Sequence, residues 1–193
     1  MANLKERFDA ATVQQIDTAL RRLRNSKDVD TGLLQILDIA IGLTGADMGT
    51  LQRYDEETDC LKIVASRGLS NEALTFFGIV RRNTNTTCAV ALTRRMRVFV
   101  EDVSTSYLFV GTRELDMLRA CGIAAAQSTP LISSNGRLCG VFTTHFHKPQ
   151  TESEFDPAAL DRLAVQVADS LEQRKASFPQ VAKPQEHRIG RLT

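Results

Sequence analysis

Apolar residues recur every three or four positions in three stretches of the chain, and each stretch predicts an amphipathic helix. The first covers residues 4–25 and the second follows Thr31, which we expect to cap it. The second ends at Gly45, a residue suited to the left-handed conformation that closes a helix. The third begins at Glu154 or Pro157 and ends near residue 174.

Between these helices, apolar and polar positions alternate as strands require. Residues 48–54 and 60–66 flank the polar turn 55–59 and predict a hairpin. Residues 123–129 and 137–147 flank Asn135-Gly136, a strong hairpin turn, and predict an antiparallel pair at the centre of the sheet.

Shorter signals complete the expected fold. Ser70 is expected to cap a helix over residues 70–77, two more short helices follow at 88–95 and 112–120, and a brief strand lies at 98–100. Residues 81–87 are polar and predict a loop over the sheet. The resulting fold class is α+β, an α/β sandwich with a central antiparallel sheet of five or six strands and helices on both faces.

Length and composition agree with one compact domain and two appendages. The chain has 193 residues, of which 42% are hydrophobic, enough to bury a sizeable core. We divide it into an N-terminal helix at residues 1–30, a domain at 31–174 and a flexible tail at 175–193, where periodicity is lost.

Charge and cysteine spacing exclude several functions. Lys and Arg number 24 against 23 Asp and Glu, so we expect binding neither to nucleic acid nor to a membrane. No apolar run matches a membrane span or a signal peptide, and we expect a cytoplasmic protein. The four cysteines are far apart with no CxxC pair, so neither a disulfide framework nor a metal site is predicted.

Four blocks in sequence order resemble the GAF domain family of small-molecule-binding and signalling modules. They are ADMGTLQRYD at 46–55, LKIVASRGLS at 61–70, TCAVALTRRMRVFVEDV at 87–103 and AAAQSTPLISSNGRLCGVFTTHF at 124–146. The resemblance spans about residues 31–174 and implies a GAF/PAS-like sheet, with a ligand held between one sheet face and the covering helices and loops. Family members bind chemically diverse ligands, so any cofactor of this chain stays unknown.

Strict alternation along residues 137–147 assigns the ligand face of the last strand. It places Thr143 and His145 inward with Cys139 and Val141, and turns four residues to the other face: Leu138, Phe142, Thr144 and Phe146. His145 would donate to an anionic or carbonyl-bearing ligand and respond to pH near neutrality, or else be satisfied by backbone or water.

Further side chains are expected to line the same cavity. They are Thr50, Gln52, Cys88, Cys121, Gln127 and Ser128. The same resemblance places Cys88 and Cys121 where free methionine-R-sulfoxide reductases carry redox cysteines. The pocket acids of that branch would fall near Ser128 and at Thr143 and His145, where this chain has no carboxylate, so we expect no catalytic residues.

Other cofactors of the family are poorly supported. Cys121 is followed by Gly122 rather than by the histidine that bilin attachment requires, and haem ligation would rest on His145 alone. The sequence therefore favours a small-molecule-binding sensory or regulatory domain of bacterial signal transduction. We expect it to form a homodimer through its terminal helices and to contact a signalling protein such as a histidine kinase. A methionine sulfoxide reductase-like thiol enzyme and a ligand-free dimerisation scaffold are the alternatives.

Overall fold

Six helices and six strands make up the part of the chain that the computed structural model describes, residues 10–25, 28–151 and 157–177. The helices are α1 (Ala10–Arg24), α2 (Val29–Thr44), α3 (Asn71–Phe76), α4 (Thr87–Arg94), α5 (Arg113–Ala120) and α6 (Pro157–Ser177). The strands are β1 (Met48–Asp55), β2 (Cys60–Arg67), β3 (Ile79–Arg81), β4 (Val98–Val100), β5 (Ala125–Ile132) and β6 (Leu138–Phe146). They form one antiparallel sheet in the order β3-β2-β1-β6-β5-β4, which confirms the predicted α+β class.

Helices cover both faces of this sheet. On one face, α1, α2 and α6 share a core with Leu51 of β1 and Phe142 of β6. On the other face, α4 packs on Leu61 and Val141, and Phe109 anchors a third cluster beside α5. Because α1 belongs to the same core as α2 and α6, the N-terminal helix is an integral layer of the fold.

Of the three helix-capping residues predicted from the sequence, two are confirmed. α2 begins at Val29 with Asp28 as its N-cap, so Thr31 lies in its first turn and the prediction that Thr31 caps it is wrong. The apolar face used for the prediction begins only at Leu33, so it gave no sign that the helix starts at Val29. Gly45 ends α2 with φ 63°, as predicted, and the Ser70 hydroxyl accepts the backbone N–H of Ala73 at the start of α3, also as predicted.

The structure adds one strand and extends two elements past their predicted ends. The edge strand β3 was not predicted; it has three residues and pairs only with β2, too short a segment to show alternation. β5 continues through Pro130 to Ile132, which is tolerated because the pairing of β4 reaches only to Ser128. α6 continues to Ser177, past the expected end near residue 174. Residues 4–9 of the first predicted helix and 178–193 of the predicted tail lie outside the described residues.

A β-bulge interrupts the alternation of β6. Leu131 pairs with Gly140, whereas Ile132 pairs with Leu138, so Cys139 has no counterpart on β5. This extra residue of β6 reverses which side of the sheet the residues before the bulge face, relative to strict alternation.

The bulge corrects two predicted orientations. Leu138 belongs to the cluster under α4, while Cys139 packs with the core under α6, and its thiol donates to the carbonyl oxygen of Ala168 at 3.5 Å. Strict alternation had assigned both residues to the opposite faces. Thr143 and His145 follow the bulge and share the face of α4.

Candidate functional site

A small, partly open cavity of about 30 Å³ lies between the sheet and the elements that cover the α4 side, and we call it the chamber. Its floor consists of sheet residues, namely Thr50, Gln52, Ile63, Ala126, Thr143 and His145. Its roof comes from α4, α5 and the loops, through Leu69, Phe77, Thr86, Thr87, Cys88, Phe109 and Leu118. The volume holds roughly two water molecules.

The strand register places the polar floor residues in one plane. Thr50 of β1 lies opposite Thr143 of β6, and the flanking pairs of that face are Met48 with His145 and Gln52 with Val141. Because every second residue of a strand shares a face, Thr50, Gln52, Thr143 and His145 all point toward the chamber.

The N-cap of α4 positions the roof over this floor. The Thr86 hydroxyl oxygen accepts the backbone N–H of Ala89 at 3.2 Å and also the thiol of Cys88 at 3.2 Å. Such a cap fixes the first turn of a helix. Thr87 and Cys88 are thereby held against the sheet.

A row of hydroxyl groups then joins α4 to β5 and β6. The Ser128 hydroxyl donates to Oγ1 of Thr87 at 2.8 Å and lies 2.9 Å from Oγ1 of Thr143. Ser128 is completely buried behind the wall. Of the predicted residues, Ser128 therefore supports the chamber without lining it.

Two buried polar atoms of the floor have no hydrogen-bond partner. Gln52 is 2% exposed and His145 is 8% exposed, and neither Oε1 of Gln52 nor Nδ1 of His145 is hydrogen-bonded. Buried polar groups are nearly always paired, and an unpaired one costs about 1–3 kcal/mol. Two residues of the chamber floor thus carry a buried polar atom that lacks a partner within the described residues.

Burial also determines the charge of His145. It lowers the pKa of the imidazole to about 4, because the charged ring would lose its hydration. His145 is therefore neutral at pH 7. The sequence had suggested a charge that responds near neutrality, and burial moves this response to acid pH.

The two cysteines singled out from the sequence lie in different surroundings. Cys88 is buried in the chamber wall, and burial raises the pKa of its thiol, an effect opposed by the side chains of Thr86 and Gln52. Cys121 is half-buried at the end of α5 and packs against the cluster of Phe109. Burial raises its pKa as well, and it is absent from the chamber wall.

Charged groups are missing from the described wall of the chamber. No Asp, Glu, Lys or Arg side chain lines it. Across residues 10–25, 28–151 and 157–177, no three His, Cys, Asp or Glu side chains come together as metal ligands, and none of the four cysteines forms a disulfide. Within the same residues, no helix has both the length and the apolar character needed to cross a membrane.

A larger groove of about 730 Å³ runs between α1 and α2, but its chemistry is less specific. Its lining includes Gln14, Gln15 and Asp38, which are exposed, and Gln35, whose Oε1 is buried without a hydrogen-bond partner. The chamber combines two residues that carry unpaired polar atoms with an apolar roof, and polar groups placed within an apolar wall discriminate between ligands better than exposed ones do. We therefore regard the smaller chamber as the functional site.

Sequence reasoning found only Cys88 of the roof, and it placed in the cavity three residues that do not line it, namely Cys121, Gln127 and Ser128. Phe109 belongs to a link without periodicity, and only its apolar neighbours Leu108 and Val110 hinted at burial. Thr86 could have been found as a Thr immediately before a helix. Gln127 was expected in the cavity, but it pairs with Thr144 and faces the opposite side of the sheet.

The sequence model of the GAF domain matches residues 26–172, most of the chain. The chain therefore belongs to the GAF domain family, whose members generally bind small molecules in signalling. The resemblance seen in the sequence is confirmed. No curated protein matches the chain.

Solved GAF structures share the fold. A domain described as that of a two-component sensor histidine kinase protein of Sinorhizobium meliloti is 26% identical with a TM-score of 0.57, over 74% of this chain and 90% of that one. The GAF domain of a phosphoenolpyruvate-protein phosphotransferase of Coxiella burnetii is 14% identical with a TM-score of 0.66, over 86% and 95%. A free methionine-R-sulfoxide reductase of Neisseria meningitidis, solved with its substrate, is 17% identical with a TM-score of 0.63, over 92% and 100%.

Proposed function

We propose that this protein is a small-molecule-binding sensory or regulatory domain of bacterial signal transduction that acts through protein contacts without catalysis. The observation that carries this proposal is the pair of unpaired buried atoms in the chamber, Gln52 Oε1 and His145 Nδ1. A ligand that pairs with them recovers the free energy that each loses on burial, about 1–3 kcal/mol per atom. Membership of the GAF family supports the same conclusion.

A metabolite-sized ligand requires the roof to move, because the chamber has a volume of only about 30 Å³. Phe77, after α3, and Phe109, before α5, contribute apolar side chains to the roof, and such contacts are non-directional. Ligand binding would therefore favour an opened form of the roof, to the extent that the ligand binds this form more tightly.

The terminal helices would carry the response to a partner. α1 and α6 pack on the face of the sheet opposite the chamber, and Val165 of α6 is 41% exposed although apolar. We propose that the protein forms a homodimer through these helices and contacts a signalling protein such as a histidine kinase. Light scattering after size exclusion of the wild type and of Val165→Lys tests the dimer, and a monomeric wild type would exclude it.

The thiol groups argue against a reductase. A nucleophilic cysteine needs a lowered pKa, whereas burial raises the pKa of both Cys88 and Cys121. No carboxylate lines the described wall to bind a substrate ammonium or to supply a proton. The similarity to the Neisseria meningitidis enzyme, at 17% identity, concerns the fold alone.

Thermal unfolding of the full chain across a metabolite panel tests the proposal. We expect at least one compound to raise the melting temperature, and a compound present at 100 times its Kd adds about 2.7 kcal/mol. The shift should be lost in His145→Ala and kept in Cys121→Ser.

Two other results would favour the alternatives. Turnover of free methionine-R-sulfoxide that is lost in Cys121→Ser would favour an enzyme. Absence of any shift, together with no bound molecule in native mass spectrometry of protein from its own cells, would favour a ligand-free scaffold.

A further inference from the structure

We propose that the chamber selects flat, uncharged ligands that carry an amide or lactam group, and that it rejects the corresponding carboxylates. This inference rests on the proposed function and adds the chemical class of the ligand. It follows from the composition of the wall, from the positions of its unpaired atoms and from the shape of the roof.

Every polar side chain of the described wall is neutral at pH 7. The set consists of Thr50, Gln52, Thr86, Thr87, Cys88, Thr143 and His145. Only Cys88 and His145 can titrate near neutrality; burial raises the pKa of Cys88 and lowers that of His145 to about 4, so both stay uncharged. A charged ligand would lose its hydration here and meet no opposite charge, at a cost of several kcal/mol.

The unpaired atom of Gln52 specifies a hydrogen-bond donor on the ligand. A carbonyl oxygen only accepts hydrogen bonds, so Oε1 needs an N–H or O–H group. The side chain of Gln52 also contacts the thiol of Cys88, which is consistent with its amide nitrogen being directed to the sulfur and its oxygen to the chamber. A carboxylate cannot satisfy Oε1 because it carries no proton.

The second unpaired atom lies at the other end of the chamber. Gln52 is opposite Val141, and His145 is four residues further along β6. At about 3.4 Å per residue, the Cα atoms of Val141 and His145 are roughly 13 Å apart. A ligand that contacts both side chains must therefore bridge the space between them. A neutral imidazole has one donor and one acceptor nitrogen, and an amide or a heterocycle can complement either of them.

The roof favours a planar molecule. Phe77 and Phe109 close the chamber with aromatic rings, and Leu118 adds an aliphatic side chain. A flat heterocycle that slides between these side chains and the sheet would contact the ring faces and keep its polar edges free for Gln52 and His145.

Matched pairs of small probes test the selectivity. Nicotinamide, isonicotinamide and uracil are uncharged, and nicotinate, isonicotinate and orotate are their carboxylate counterparts. We would titrate each into the ¹⁵N-labelled full chain at neutral pH and follow the side-chain amide of Gln52 and the ring nitrogens of His145. We expect saturable shifts of both signals with at least one uncharged probe and none with its carboxylate.

A matched pair of variants separates recognition from general destabilisation. Gln127 is 1% exposed and its Oε1 is likewise unpaired, but it lies on the other face of the sheet, where its amide nitrogen donates to Oγ1 of Thr129. For the probe that binds, Gln52→Leu should raise the Kd by about tenfold or more, and Gln127→Leu by no more than about twofold.

The possible failures differ from one another. Carboxylates that bind as well as the uncharged probes, or a Kd that is insensitive to Gln52→Leu, would overturn the ligand class. So would a set of probes that all fail while a charged metabolite binds the chamber, and in each of these cases the sensory function stands. If no compound of any class binds the chain, the ligand class and the proposed function both fall.

Discussion

The hydroxyl oxygens of Ser128 and Thr143 lie 2.9 Å apart across the pair of strands β5 and β6. Thr87 extends this contact to α4, since the Ser128 hydroxyl also donates to its Oγ1 at 2.8 Å. All three residues are buried. Hydrogen bonds therefore join α4 to the sheet. Because these residues are buried, water does not replace a partner that a mutation removes.

Replacing Thr143 by Val should lower the free energy of unfolding by about 1–2 kcal/mol, because Ser128 loses a buried partner. Thr144→Val is the matched control. The Thr144 hydroxyl is buried on the opposite face without a partner, so its removal should be neutral or stabilising. Urea unfolding measures both variants, and equal losses would contradict the role of the hydroxyl row.

The folded state should lose stability as the pH falls from about 6.5 toward 4. Burial lowers the pKa of His145 to about 4, whereas a histidine in an unfolded chain has a pKa of about 6.5. Between these values the unfolded chain binds a proton that the folded chain does not, so acid favours unfolding. Across the whole window the loss is on the order of 3 kcal/mol, and the stability is fully present above the unfolded pKa.

Urea unfolding at a series of pH values between neutrality and pH 4 measures this dependence. His145→Gln should unfold with a shallower pH dependence than the wild type, whatever its stability at neutral pH. Parallel curves for the two proteins would show that His145 is protonated as easily in the folded chain as in the unfolded one.

Alanine at two glycines should have opposite effects. A Cβ atom at Gly140 would lie 2.1 Å from the carbonyl oxygen of Gln52, so β1 and β6 would have to separate, and we expect a loss of about 1–3 kcal/mol or more. Gly42 lies in α2 with no atom within 4 Å of the added Cβ, and alanine there should stabilise the protein by about 0.5–1 kcal/mol. Thermal unfolding compares the two, and a tolerated Gly140→Ala would contradict the close approach of the strands.

Alkylation in the native state should leave Cys88 largely unmodified. Its thiol is buried and has a raised pKa, so reaction requires the structure to open. We expect a rate at least about a hundred times below that of the urea-unfolded chain. Peptide mapping by mass spectrometry distinguishes Cys88 from Cys121, which is half-buried and should react first. Rapid modification of Cys88 would revive the thiol-enzyme alternative.

Features with a strong local signal could be predicted from the sequence. Gly45 ends α2 because few other residues favour its positive φ, and the polar turn at residues 55–59 places β1 beside β2. Period-two alternation was enough to put Thr50 and Gln52 on the same face as Thr143.

Features that depend on distant contacts could not be predicted. The bulge at Cys139 is visible only in the pairing of β6 with β5, and β3 is defined only by its contact with β2. Phe109 becomes a roof residue because the segment before α5 folds over the sheet. Alternation of apolar and polar residues assigns the faces of one strand. It does not indicate which loop or helix will cover that strand in the folded chain.

Thr143 and Phe142 are adjacent on β6, yet one faces the chamber and the other belongs to the core beneath α1, α2 and α6. The chamber and the core beneath the terminal helices therefore lie on opposite faces of one sheet. A molecule that displaced Thr143 would move Phe142 with it, because a single peptide bond links the two residues. A shift of β6 at the chamber would therefore reach the core beneath the terminal helices directly, through the strand itself.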